Sequence, residues 1–218
     1  MSNIFRNLDW SVLTGAIYSV VPALLCITFH ELSHGFVAYK LGDPTAKQMG
    51  RLTLNPIKHI DIIGLVMMVV FRFGWAKPVP VNMQNFKKPK RYMAITALAG
   101  PISNVLLSVV VLFIFGLLYT PLGENMVVIE MITRTAYISL ALAIFNIVPI
   151  PPLDGSKVLF SLLPDNAYNK LMRYERYGMI LLIIFISTSA FSATVGRITS
   201  VVFEKLYLIA VFGFRLVN

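Results

Sequence analysis

The chain has 218 residues, of which 57% are hydrophobic and only 13% charged, with a mean hydropathy of +0.75. Soluble domains carry about 25% charged residues, so roughly half the usual charge is missing and a large soluble domain is excluded. The net charge of +9 does not point to nucleic acid, because the basic residues lie between apolar stretches rather than along a soluble face.

The first apolar segment covers residues 11–39, roughly 40 Å as a helix against a hydrocarbon core of about 30 Å. Tilt, or a kink at Pro22 where a backbone donor is missing, would fit it in. The residues before it are mixed rather than basic and the apolar run exceeds that of a signal sequence, so no cleavable leader is expected. Cys26, the single cysteine, excludes an internal disulfide and reads as a small buried hydrophobe.

Residues 40–91 are rich in Pro, Gly and Lys. The alternation of Leu52 and Leu54 in GRLTLN predicts a half-buried strand over residues 50–55. GLVMMVVF, residues 64–71, is too short to cross a bilayer as a helix and reads as re-entrant or interfacial. Backbone of that kind is tolerated at membrane depth only under a cover of protein or around a watery cavity. Further spans are expected at residues 92–118 and 126–148. After a polar, basic segment, residues 165–176, two more apolar segments follow at 177–193 and 200–216, joined by a tight turn near Gly196. Met67, Met68, Phe113 and Phe115 read as packing or lipid contacts.

Loop charges set the orientation. Lys47, Arg51, Lys58, Arg72, Lys77, Lys87, Lys88 and Lys90 crowd the first long connection, and Lys170, Arg173 and Arg176 the second. The link between the second and third spans carries Glu124 and no basic residue; Arg197 alone runs against the pattern. The basic loops are therefore expected on the cytoplasmic side and the N-terminus outside. The expected architecture is an all-α polytopic membrane protein of about five apolar spans with a small membrane-associated β insert. A single domain is expected over residues 1–218, with a core at about 11–164 and a C-terminal helical pair at about 177–217.

The chemistry is concentrated in Phe29-His30-Glu31-Leu32-Ser33-His34. On a helix His30 and His34 stand one turn apart on the same face, so both imidazoles reach one ion. Glu31 flanks that face, placed to take a proton from a metal-bound water rather than to bind the metal. Zinc supplies such a water, with a pKa near ~7, and a Lewis acid for a carbonyl. Ionisable residues in an apolar span are costly, about 2.5–3.5 kcal/mol each at helix centre, and default to function. A zinc hydrolase needs a third protein ligand. His59, Asp61, Asp154 and Glu175 are candidates. Asp154 is favoured because it follows the cytoplasmic end of the third span, level with His30 and His34, in a Pro-rich helix break suited to lining a cavity. Asn104 and Asn146 are span amides that fit oxyanion stabilisation and helix-to-helix hydrogen bonding equally well.

FHELSH, GRLTLNPIKHID, GWAKPVPVN, ALAGPISN and FNIVPIPPLDG stand in an order similar to that of the site-2 protease family of intramembrane zinc metalloproteases. The resemblance runs from about residue 29 to 155. It implies one zinc ion per chain on His30, His34 and Asp154, Glu31 as general base, and Asn104 and Asn146 as helpers. It also implies cleavage of membrane-spanning segments of single-pass or small membrane proteins, in regulated intramembrane proteolysis or clearance of remnant peptides. The segment Arg51, Leu52, Thr53, Leu54 and Asn55 resembles the family's membrane-associated β element, expected to bind unwound substrate by strand addition. On this reading neither the PDZ-like nor the nucleotide-sensing domain of some members is expected, nor an extra span before the helix that carries FHELSH. The chain is thus similar to the compact form of the family. The expected partners are a transmembrane substrate and the lipid bilayer of a prokaryotic cell, with the active site toward the cytoplasm; nothing indicates an oligomeric state. The rival reading is a metal-ion transporter or a non-proteolytic metal-binding scaffold. A transporter would spread its ionisable residues along a path, whereas here they converge at one depth.

Overall fold

The computed structural model describes residues 10–71, 74–123 and 125–218. Arg72 and Glu124, two of the charges used for the orientation, lie outside the described residues, as do residues 1–9.

Helix α1, Trp10–Lys40, runs through Pro22 as one element and ends at a turn with Gly42. A single turn of helix, α2, Thr45–Gln48, follows, then a 3-10 turn at Pro56–His59 and the short apolar helix α3, Ile62–Phe71. With 10 residues, α3 is about 15 Å long, half of what a crossing needs. An extended run leads to a second 3-10 turn, Met83–Asn85, and to the long helix α4, Pro89–Leu122. Pro89 is pre-set for a helix start, since its missing N–H costs nothing there.

Helix α5, Met126–Asn146, returns antiparallel to α4; Asn125 caps it by accepting from the N–H of Val128. The Pro-rich break follows, with a cis peptide between Pro151 and Pro152. Then come α6, Asp154–Ser161, α7, Asp165–Tyr174, α8, Gly178–Ile186, and α9, Ser189–Val217.

The core of the bundle is α4, which touches α1, α5, α6 and α9. Cys26 is fully buried where α1 meets α5, its thiol 3.4 Å from the carbonyl of Thr135. The C-terminal helix α9 packs on the same core through Phe115–Tyr207 and Tyr137–Phe203 ring contacts. Leu112, Phe115, Ala136 and Ala210 form its buried centre.

Of the about five expected spans, three helices among the described residues are long and apolar enough to cross: Tyr18–Lys40 within α1, α4 and α5. The count becomes four if α8 and α9, bent by 80° at their junction, make one broken span. The chain is a multi-pass membrane protein. The C-terminal break falls at Ser187 and Thr188 rather than near Gly196, which sits inside α9. The physical reason is a cap: Thr188 is extended and its hydroxyl receives the N–H of Phe191, while the Ser187 hydroxyl donates back to Ile183.

The strand expected over residues 50–55 is not formed. Gly50 takes a left-handed turn (φ 63°), and the residues after it are bends whose polar groups are satisfied locally. The Arg51 N–H donates to Ala46, the Asn55 N–H to the Thr53 hydroxyl, and the Asn55 side chain caps the 3-10 turn. These side-chain bonds compete directly with a ladder. Among the described residues, sheet pairing is limited to one antiparallel bridge, Ile60 to Ala76.

Candidate metal centre and active site

His30 and His34 project from one face of α1, their rings edge-on with centroids 4.6 Å apart. Asp154, the first residue of α6, meets both: its Oδ2 is 3.0 Å from His30 Nε2 and 3.1 Å from His34 Nε2. All three side chains are buried, and their ligand atoms lie within 4.8 Å of one another. The other candidates are elsewhere. His59 is buried in the loop, its Nε2 donating to the Thr53 carbonyl, and Asp61 caps the start of α3. Glu175 lies 3.9 Å from Lys157, whose ammonium is also 3.9 Å from the second oxygen of Asp154.

The tautomer of His34 tests whether these residues fit a metal. Its Nδ1 is 2.7 Å from the Thr96 carbonyl, which only accepts, so Nδ1 carries the proton. A neutral His34 then aims the lone pair of Nε2 at a carboxylate oxygen 3.1 Å away. Two acceptors at that distance need a shared cation or a second proton between them. Two imidazole nitrogens and one carboxylate oxygen are the donor set of catalytic zinc. Ligand bonds of about 2.0–2.1 Å to a tetrahedral ion would space the ligand atoms about 3.3 Å apart, close to what is observed. The Thr96 carbonyl supplies the outer hydrogen bond that would hold His34 in register as a ligand.

Helix α4 makes that bond possible. Gly100 faces the histidines so closely that a β-carbon there would stand 2.5 Å from His34 Nε2 and 2.6 Å from His30 Nε2. Pro101 cannot donate to the carbonyl of Ala97, one turn back, which loosens the helix beside the site. Glu31 is half-buried next to the triad, and its Oε2 receives the N–H of Val79 at 2.8 Å.

A cavity of about 330 Å³ opens on this group, lined by Glu31, Val79, Val81, Thr96, Asn146 and Lys157 among others. A second of about 190 Å³ adjoins it, walled by Trp75, Phe145, Met179 and Leu182. His30, Glu31, Asn146 and Pro152 border both. Asn146 thus sits at the site, with its Nδ2 donating to the Leu142 carbonyl. Asn104 is fully buried one turn beyond Gly100. Its main-chain carbonyl accepts the Ser139 hydroxyl, and its side-chain Nδ2 has no partner among the described residues.

Of residues 51–55, Arg51 is buried and donates to the Lys77 carbonyl at 2.7 Å, and Leu52 packs toward Gly35. Thr53 serves His59, while Leu54 and Asn55 are exposed. None of the five lines either cavity.

Three contributors escaped the sequence reading: Val79, Gly100 and Asp43. Pro78-Val79-Pro80-Val81 does signal an extended run whose only N–H groups are on the valines. Asp43 has no exposed surface and anchors that run; its carboxylate receives the N–H groups of Thr45 (3.1 Å) and Asn82 (2.7 Å) and the amide of Asn85 (2.7 Å). Burial pushes the Asp43 carboxyl up, but the bonds from Thr45, Asn85 and Asn82 outweigh it and hold it below the usual range. The stabilisation is complete above the unfolded value near 3.9 and is lost as pH falls through the lower folded value. The thermal midpoint should therefore exceed that of Asp43→Asn near neutral pH, with the gap closing below about pH 4. A gap that persists unchanged to about pH 2 would refute this role.

Comparison with known proteins agrees with the geometry. Residues 118–189 match Peptidase family M50. A Bacillus subtilis protein named "Putative zinc metalloprotease YwhC" is 39% identical over 176 residues, covering 78% of this chain and 80% of its own. The similarly named MJ0611 of Methanocaldococcus jannaschii is 35% identical, over 72% of this chain and 75% of its own. Rip2 of Mycolicibacterium smegmatis is 28% identical over 77% of this chain and 65% of its own. No solved structure matches. The chain belongs to peptidase family M50, the site-2 protease family of membrane zinc metalloproteases.

Proposed function

We propose that the protein is an intramembrane zinc endopeptidase that cleaves membrane-spanning segments of single-pass or small membrane proteins. The observation that carries this reading is the meeting of two histidines and a carboxylate at one buried point, with Glu31 beside them and two adjoining cavities. When bound, zinc supplies an acidified water and a Lewis acid for the scissile carbonyl. Glu31 takes the proton of the attacking water and returns it to the leaving amine. The Val79 N–H fixes Oε2 of Glu31, leaving Oε1 for the proton. Asn146, on the border of both cavities, has a second amide hydrogen for the developing oxyanion. Asn104 helps from behind Gly100, where its buried side-chain amide has an Nδ2 with no partner among the described residues.

A helical substrate hides its carbonyls in i to i−4 bonds and must unwind before it is cut. The unwound segment lies along Pro78–Val81, which lines the larger cavity. Of residues Arg51–Asn55, the exposed Leu54 and Asn55 meet the substrate, and Arg51, Leu52 and Thr53 brace the loop. The loop charges favour a site on the cytoplasmic side, and the bacterial and archaeal relatives favour a prokaryotic cell membrane.

The test is a reconstituted cleavage assay with a single-pass substrate, read by mass spectrometry. Chelation should stop cleavage and one equivalent of zinc should restore it, with the cut inside the membrane segment. Zinc flux into proteoliposomes without any cleavage would establish the transporter instead.

A further inference from the structure

A groove of about 750 Å³ lies on the other side of α4 from the metal centre, between its first turns and α6 and α7. Arg91, Ile95 and Leu98 line it at steps of four and three residues, so they form one stripe of the helix, and Lys88, the residue just before the first turn, lines the same mouth. The stripe is cationic where α4 enters the membrane and apolar beyond. Lys90, at the same mouth, is already engaged: it pairs with Asp165 at 2.9 Å, donates to the Leu163 carbonyl and lies 5.4 Å over the Tyr168 ring. Lys88 and Arg91 are exposed and have no carboxylate partner among the described residues. The mouth of the groove therefore carries two positive charges without a carboxylate partner among the described residues, at the start of a helix long and apolar enough to cross a membrane.

We propose that this groove binds one anionic glycerophospholipid, its phosphate at Lys88 and Arg91 and an acyl chain along Ile95 and Leu98. The ligand combines a fixed negative charge with a hydrocarbon tail, in the order in which the stripe offers their complements. A zwitterionic lipid would bring a second cation to the same mouth. Each basic residue near an anionic membrane surface contributes about fivefold in affinity.

The test is native mass spectrometry of the full chain from mixed micelles of phosphatidylglycerol and phosphatidylcholine with identical tails. One phosphatidylglycerol should be retained per chain in preference to phosphatidylcholine. The double variant Lys88→Ala/Arg91→Ala should weaken this by about 25-fold. Lys170→Ala/Arg173→Ala, which removes the same charge from the exposed face of α7, should change it less than about twofold. Ile95→Trp, with all charges intact, should also weaken retention by filling the tail slot. Excess inorganic phosphate should leave the lipid bound. The proposal is overturned if the two double variants lose lipid equally, if phosphatidylglycerol is not preferred, if Ile95→Trp retains it fully, or if phosphate alone displaces it. Lipid retention is read independently of cleavage, and a zinc content near one per chain verifies that each variant is folded.

Discussion

Glu31→Gln is expected to lower cleavage of a membrane-spanning substrate by about 10²–10⁴-fold, the range for loss of a general base, while zinc content stays near one per chain. The exchange is nearly isosteric, and the amide oxygen of Gln still accepts the Val79 N–H that holds Glu31 Oε2 at 2.8 Å. Position is preserved; what disappears is a group able to carry a proton. His30, His34 and Asp154 are untouched, so the ligand set remains. Single-turnover cleavage with metal analysis on the same sample separates the two quantities. Retained cleavage, or a loss of zinc equal to the loss of rate, would remove Glu31 from the role of base.

Gly100→Ala is expected to empty the metal site without unfolding the protein. The added carbon would sit 2.5 Å from His34 Nε2 and 2.6 Å from His30 Nε2, inside any van der Waals contact. Either α4 moves away, which pulls the Thr96 carbonyl from His34 Nδ1, or the rings rotate off the shared point. Displacements of about 1 Å at a reacting centre cost about 10²-fold, and cleavage should fall by at least that much together with zinc content. Alanine is the better helix former by about 1 kcal/mol, so helical content measured by circular dichroism should hold. Full zinc occupancy with full activity would show that α4 does not close the site in this way.

The candidate metal centre was legible because metal chemistry forces residue types to a spacing. His30 and His34 must share a helix face, and three ionisable side chains in an apolar span demand a reason. Asp154 followed from charge bias, which put the ends of two spans at one level. Other features left weaker traces. Leu52 and Leu54 alternate as a strand would, yet Thr53 and Asn55 offer the backbone closer partners than a neighbouring strand could. Gly196 drew the C-terminal break toward itself, although the Ser187-Thr188-Ser189 run nine residues earlier held the capping hydroxyls. The closeness of Gly100 to the histidines depends on packing between α1 and α4, and no local pattern records it.

The bond from Val79 to Glu31 has a consequence for how this enzyme tolerates change. The donor is a main-chain N–H, and nineteen of the twenty genetic choices at codon 79 supply it. Only proline deletes it. Its neighbours Pro78 and Pro80 have given up their own donors, so a shift of register by one residue along the run would present Glu31 with no donor at all. The orientation of Glu31 is therefore encoded less in the identity of residue 79 than in chain length and phase. Insertions and deletions between Trp75 and Asn82 threaten it more than substitutions do.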